Sequence, residues 1–175
     1  MNIHRVGLTI LGLAAATAAF AFTEKELNAR FYFDLGKDSI DVSSYPETQK
    51  ANYAVFAKTC SQCHTLSRPI NSPLVSKEDW RRYVSRMRNH TKSRKGTKIT
   101  DAEAKHIIDF LAFDSQERKV KGKAAFDAET ERLKGLFKDV VAEREKKESD
   151  AARDRARDDS EPAGVHPQPA PGEHR

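Results

Sequence analysis

The sequence predicts an all-α protein, built as a small helical domain that is followed by a long charged helix. Two observations predict this fold class. Three segments between residues 46 and 114 repeat apolar side chains at the i, i+3, i+4, i+7 spacing of one helix face. A later stretch, 123–158, contains no proline and consists mostly of helix-forming residues. The length of 175 residues allows one domain with an appendage, but not two full domains.

Residues 1–21 have the pattern of a secretory signal peptide. An uncharged apolar run covers residues 6–20 and is shorter than the roughly 20 residues that span a bilayer. The small-x-small sequence Ala19-Phe20-Ala21 fits a cleavage site after Ala21. The alternative is an uncleaved membrane anchor. The sequence therefore predicts export to the periplasm, with no later segment able to span a membrane.

Composition divides the remaining chain into four parts. Residues 22–44 form a mixed N-terminal extension, and residues 45–115 form the domain, because they hold the tryptophan, both cysteines and the clearest helical patterns. Residues 116–159 form a charged helical extension, with 13 Lys and Arg and 12 Asp and Glu from position 117 onward. Residues 160–175 contain four prolines and two glycines, a composition that predicts a disordered tail.

The first helix of the domain is predicted over residues 46–59, since proline is well tolerated in a first helical turn. Its apolar residues share one face and lead directly into the first cysteine: Tyr53, Phe56, Ala57 and Cys60.

Two further helices are predicted by their capping residues. The second covers residues 76–89 and starts with Ser76 and Asp79, a pair that resembles a capping box. Its inward positions are Trp80, Tyr83, Val84 and Met87. The third begins at Thr100, where Glu103 completes a capping box, and ends near Asp114. Its buried face consists of Ala104, Ile107, Ile108, Phe110 and Leu111.

The sequence Cys60-Ser61-Gln62-Cys63-His64 is the strongest chemical signal in the chain. Such a CxxCH can attach haem covalently, because two thiols on one helical turn can each bond a vinyl group while the adjacent imidazole binds the iron. A redox dithiol is one alternative, although the βαβ pattern expected around it is absent. A zinc site is the other, and it would need His90 and His106 as further ligands. Export favours haem, because haem is attached to c-type proteins outside the bacterial cytoplasm.

The order of these features resembles a bacterial monohaem cytochrome c of the class I type. The resemblance covers residues 46–115 and includes the CSQCH motif, a Trp-containing helix with Arg86-Met87, and the Thr100 capping sequence leading to Ile107-Ile108-x-Phe110-Leu111. It implies one haem c per chain, held through Cys60 and Cys63, with His64 as the proximal iron ligand. It also implies that the first and last domain helices pack together, with Phe56 near Phe110 or Leu111.

The resemblance further implies a set of secondary contacts to the haem. Met87 is expected as the distal iron ligand, although it lies on a helix only 23 residues after His64, and His90 is the alternative. Trp80 either donates its indole N–H to a haem propionate or is a core aromatic residue. Arg68 either contacts a propionate or is an ordinary surface arginine.

The charge distribution predicts a kind of partner. Between Arg68 and Lys98 there are ten Lys and Arg but only two acidic residues, Glu78 and Asp79. A basic surface near a haem would steer an acidic redox protein toward it. Nucleic acid is a poor alternative, given the predicted export and the lack of interleaved aromatic residues.

The sequence thus predicts an electron carrier rather than an enzyme. The alternatives are a haem peroxidase or gas sensor with an open sixth iron position, and a tethered haem subunit of a larger redox complex. The long helix bears on the last of these. Its short apolar stripe would either dock on the cytochrome domain, which we expect, or bind a partner helix; the stripe consists of Phe126, Leu133, Leu136, Phe137, Val140 and Val141.

Overall fold

The computed structural model describes residues 21–92 and 98–160, and within these ranges every regular element is helical. This confirms the all-α class. The predicted signal peptide, apart from Ala21, and the predicted tail beyond Ser160 lie outside the described residues. Among the described helices, none is both long enough and apolar enough to cross a membrane.

The elements follow one another in a simple order. The N-terminal extension contains a short helix α1 (Glu24–Leu27) and a 3₁₀ turn (Tyr32–Leu35). The domain contains α2 (Glu47–Cys60), α3 (Ser67–Asn71), α4 (Lys77–Lys92) and α5 (Asp101–Asp114). A π-helical segment (Ser115–Lys121) joins α5 to the long helix α6 (Lys123–Ser160). The three predicted domain helices are confirmed, with ends shifted by at most three residues, whereas α1, α3, the 3₁₀ turn and the π-helical segment were not predicted.

The core is formed where α2 crosses α5. Phe56 and Phe110 are fully buried, and their rings stack with centroids 5.3 Å apart. Tyr53 extends this aromatic contact, with its ring centroid 5.1 Å from that of Phe110. The expected packing of the first and last domain helices is therefore confirmed. Helix α4 covers the other side of α5 and buries Trp80 and Val84.

Side-chain caps fix the starts of α4 and α5. The Thr100 hydroxyl accepts a hydrogen bond from the Glu103 backbone N–H at 3.2 Å, and the Glu103 carboxylate accepts from the Thr100 backbone N–H at 2.8 Å. The Ser76 hydroxyl accepts from the Asp79 backbone N–H at 3.1 Å. Both pairs satisfy N–H groups that the first helical turn leaves without partners.

Helix α6 has 38 residues, a length of about 57 Å, and it docks on this chain. Leu133 and Val140 of the predicted apolar stripe are almost fully buried. The surface that they cover includes α1 and the 3₁₀ turn, both in the N-terminal extension. The helix therefore docks on this chain, but its main contacts among the described elements are with the N-terminal extension and the π-helical segment instead of the domain as expected. The two extensions that flank the domain in sequence pack on each other.

A buried lysine ties the π-helical segment to the domain. Lys119 is only 5% exposed, and its ammonium group donates to the backbone carbonyls of Ser72 at 2.8 Å and Leu74 at 3.1 Å. The same nitrogen lies 4.9 Å from the centroid of the Trp80 ring, within the range of a cation–π contact. Burial lowers the pKa of Lys119 to about 7, with a smaller contribution from Arg118.

We predict that Lys119 makes the free energy of unfolding depend on pH. The unfolded chain keeps this proton up to about pH 10.4, whereas the folded chain releases it near pH 7, so the unfolded state binds more protons between these values. Stability should therefore rise with pH in this window, by at most about 1.4 kcal/mol per pH unit. Urea unfolding measures this at pH 7 and pH 9. Between these values the free energy of unfolding of wild type should rise by about 2 kcal/mol more than that of Lys119→Met.

The exposed Lys121→Met, on the same segment, is the matched control and should follow the wild-type curve. Parallel pH curves for wild type and Lys119→Met would contradict the prediction.

Candidate functional site

One cleft gathers most of the residues that the sequence predicts for the site. Its volume is about 640 Å³, within the usual range for small-molecule sites. It lies at the end of α2 and is bordered by the following turn, α3 and α4. Six of the seven predicted site residues line it: Cys60, Cys63, His64, Arg68, Met87 and His90.

Both cysteines border the cleft from the end of α2 and the turn after it. Cys60 is the last residue of α2 and is partly buried, while Cys63 lies in the turn and is exposed. Both thiols are free. The end of α2 and the turn after it thus present two thiols, three positions apart, to one cavity.

The surroundings of His64 favour the tautomer that can bind a metal. Its Nδ1 lies 2.7 Å from the backbone carbonyl oxygen of Thr65. A carbonyl oxygen can only accept, so Nδ1 carries the hydrogen and donates it. The Nε2 of the neutral ring then has the lone pair with which imidazole binds a metal. The sequence had not indicated which carbonyl orients this ring.

Helix α4 supplies both candidates for a distal ligand. Tyr83, Met87 and His90 follow one another at i, i+4, i+7 and all line the cleft, because this spacing keeps them on one helix face. Met87 is half-buried and packs against the core, whereas His90 is exposed near the end of the helix. The structure therefore brings both Met87 and the alternative His90 to the same cavity as His64.

Trp80, the seventh predicted residue, lies in the core instead of the cleft. Its side chain is fully buried, and its indole N–H donates to the Ser115 hydroxyl at 3.0 Å. An indole has only this one donor, so the hydrogen bond to Ser115 uses it. Its burial and this hydrogen bond fit the role of a core aromatic residue.

Arg68 is held at the cleft by an acidic partner. Its Nε and Nη2 atoms donate to the two carboxylate oxygens of Asp34, each at 2.7 Å. Burial of Asp34 opposes its ionisation, but the hydrogen bonds from Arg68 and from the Arg30 backbone outweigh burial and lower the pKa of this carboxyl. The sequence offered no signal for this pair, because the partners are 34 positions apart in regions of different composition.

Tyr83, predicted from the sequence as an inward position of α4, lines the cleft. Its hydroxyl is buried and has no hydrogen-bond partner among the residues that the structure describes. Burial raises the pKa of Tyr83 to about 12. A buried hydroxyl without a partner is costly, so it marks a place where a polar atom of a bound group would fit. The missing partner of its hydroxyl depends on the tertiary structure and had no signal in the sequence.

The environment of the thiols disfavours a redox dithiol. Burial, with a smaller contribution from Cys63, raises the pKa of Cys60 to about 12. Dithiol oxidoreductases depend on the opposite, a cysteine whose pKa is lowered so that the thiolate forms near neutral pH.

The zinc alternative finds no support among the described residues. They contain no group of three or more His, Cys, Asp and Glu side chains that could hold a metal ion. His106 is exposed on α5, where its Nδ1 lies 2.7 Å from the Asn52 side-chain oxygen. A haem iron, by contrast, takes only one or two ligands from the protein.

The basic segment divides between two faces of α4. Arg81 and Arg88 border a separate groove against α5, and Arg88 pairs there with Asp101 at 2.6 Å. Arg86 lies on the cleft side, 5.8 Å from the centroid of the Tyr83 ring. Arg30 and Arg68 line the cleft, and Arg86 lies beside it against Tyr83, so three guanidinium groups are near the cleft.

Comparisons of the chain with family models, with curated proteins and with solved structures found no match. The function must therefore be inferred from the chain's own residues. Two thiols, an imidazole with an available lone pair and a thioether meet at one cavity, which suits covalent attachment and axial ligation of a metal-containing cofactor.

We predict that Trp80→Phe lowers the free energy of unfolding and leaves the haem spectrum of the loaded protein unchanged. Loss of the hydrogen bond to Ser115 and of part of the ring should lower the free energy of unfolding by about 2–3 kcal/mol. Urea unfolding measures this loss, and Ser115→Ala combined with Trp80→Phe should cost less than the sum of the two single changes. A changed haem spectrum with unchanged stability would instead support the propionate role.

Proposed function

We propose that this chain is an exported electron-transfer protein that carries one covalently bound haem c in the cleft. The observation that carries the proposal is the convergence of Cys60, Cys63, His64 and Met87 on one cavity of suitable size. A haem bound there would supply an iron centre that takes up and releases one electron. The protein would supply the attachment, the ligands, a low dielectric and a docking surface.

The two cysteines and the candidate iron ligands each have a role in this proposal. Cys60 and Cys63 would hold the haem through thioether bonds, and His64 would bind the iron from one side through Nε2. Met87 would bind from the other side, with His90 as the alternative. If the protein fills both ligand positions of the iron, the site suits electron transfer, because no position is then left for a substrate or a gas.

The fit of such a group is supported by Tyr83. Its buried hydroxyl lacks a partner among the described residues, and a bound group with polar atoms would provide one. The cleft also combines apolar and cationic side chains, including Ile99, Pro69 and Arg68, as an amphipathic, anionic cofactor requires. A large apolar cofactor would in addition enlarge the small core of this domain.

The partner in this proposal is a redox protein with an acidic docking surface. Arg30 and Arg86 at the cleft would attract it electrostatically and raise the encounter rate more than the affinity, whereas the charge of Arg68 is offset by Asp34. With the predicted signal peptide, this exchange would take place in the periplasm.

We expect one covalent haem per chain when the full chain is produced in a host with cytochrome c maturation. The pyridine haemochrome spectrum measures the amount and the mode of attachment. Cys60→Ala combined with Cys63→Ala should remove all covalent haem, whereas Gln62→Ala, an exposed change inside the same motif, should retain it. Wild-type chain without covalent haem from such a host would overturn the proposal.

We expect Met87 to be the distal ligand. Met87→Ala should abolish the weak far-red sulfur-to-iron band of the ferric protein, lower the reduction potential and let carbon monoxide bind the ferrous protein. His90→Ala is the matched control, from the same face of α4, and should leave all three properties unchanged. The opposite result would give the role to His90, and prompt carbon monoxide binding by wild type would favour a gas sensor or peroxidase.

A further inference from the structure

The carboxylate of Asp34 is the centre of a hydrogen-bond cluster beside the cleft. It accepts from the backbone N–H groups of Arg30 at 3.0 Å and Phe31 at 3.2 Å, and from two nitrogens of Arg68 at 2.7 Å each. The Asp34 side chain is only 14% exposed. This carboxylate therefore fixes the N-terminal extension to α3. Hydrogen bonds of a partly buried carboxylate to charged and backbone donors are stronger than those between neutral groups.

Two cleft residues depend on this cluster. Arg68 is held in a fixed orientation by the two parallel hydrogen bonds to Asp34 and by the Phe31 ring, whose centroid lies 5.1 Å from the guanidinium carbon. The backbone of Arg30 is held by the same carboxylate. We call Arg30 and Arg68 the arginine rim, since both line the cleft.

Helix α6 fastens the segment that bears the arginine rim. The Arg144 guanidinium donates from Nε to the Leu27 carbonyl at 2.8 Å and from Nη2 to the Ala29 carbonyl at 2.7 Å. These carbonyls lie at and just after the end of α1, immediately before Arg30. Arg144 thus satisfies backbone acceptors that the end of a helix leaves without partners. The buried Leu133 and Val140 add apolar contacts to this attachment.

We infer that the two extensions complete the binding cleft: Asp34 is a positioning residue for the arginine rim, and Arg144 is the latch that holds the segment in place. This inference rests on the proposed function, because the group that would face the arginine rim is the haem. Arg144 acts from 115 positions away in sequence, through Ala29, and Asp34 acts through Arg68. Deleting or loosening α6 should therefore change a cleft that α6 does not line.

Hydrogen exchange of the full chain tests the latch. Arg144→Ala should speed exchange of the amides of residues 30–34 by at least tenfold, while amides of α2 and α5 keep their wild-type rates and show that the domain is folded. The matched control is Arg132→Ala, which removes an exposed arginine of α6 that pairs with Glu129. If the domain of Arg144→Ala unfolds, Arg144→Lys provides the same test, since it keeps the charge and loses the two-pronged bond. Equal exchange in the control and the latch variant would overturn the latch.

The reduction potential tests the positioning role of Asp34. If Asp34 acts through Arg68, Asp34→Asn should shift the potential of the haem-loaded protein at least three times more in the wild-type background than in an Arg68→Gln background. Equal shifts in the two backgrounds would show that Asp34 acts only through its own charge and would overturn the positioning role. A wild-type chain without haem would refute the proposed function, while the exchange experiment would still decide the latch.

Discussion

The stacking of Phe56 on Phe110 is the contact on which the rest of the fold depends. It fixes the crossing of α2 and α5, with the two ring centroids 5.3 Å apart. Cys60 lies one helical turn after Phe56, so this crossing also fixes where α2 ends and where the thiols face. The same crossing sets the direction of α5, whose continuation through the π-helical segment leads into α6.

The polar contacts outside this core join the chain's parts to one another. Lys119 and Arg118 bind backbone carbonyls in the 70–74 segment, Arg68 binds Asp34, and Arg144 binds the end of α1. Each of these side chains donates to two or more specific acceptors, which compensates for the hydration that it loses in the fold. The domain between the extensions is too small to bury much apolar surface. Fastening the N-terminal extension and α6 to it therefore adds stability at the same time as it closes one side of the cleft.

Local sequence was sufficient to predict the parts of this structure that depend on local physics. Thr100 with Glu103, Ser76 with Asp79 and the apolar spacing around Phe56 all act within one or two helical turns, and the helices that they predict are present. The missing parts depend on contacts distant in sequence. Nothing near Asp34 indicates Arg68, and nothing near Arg144 indicates the carbonyls of α1. Trp80 had two plausible roles because its distant partner, Ser115, cannot be identified from spacing.

The same distinction changes how the charge of this chain should be understood. The sequence gives a large basic excess between Arg68 and Lys98, but a count of residues ignores where each charge lies and what it pairs with. In the structure Arg68 faces Asp34, Lys77 faces Asp109, and Arg88 faces Asp101. Asp101 and Asp109 follow the basic segment in sequence, and Asp34 precedes it. The fold thus brings acidic residues from outside the segment to neutralise part of its excess charge. An attractive field for an acidic partner must then come from the position of the remaining cations. Since screening in salt limits such forces to about 8–10 Å, arginines bordering the cleft matter more for a partner docking there than those on the far face of α4.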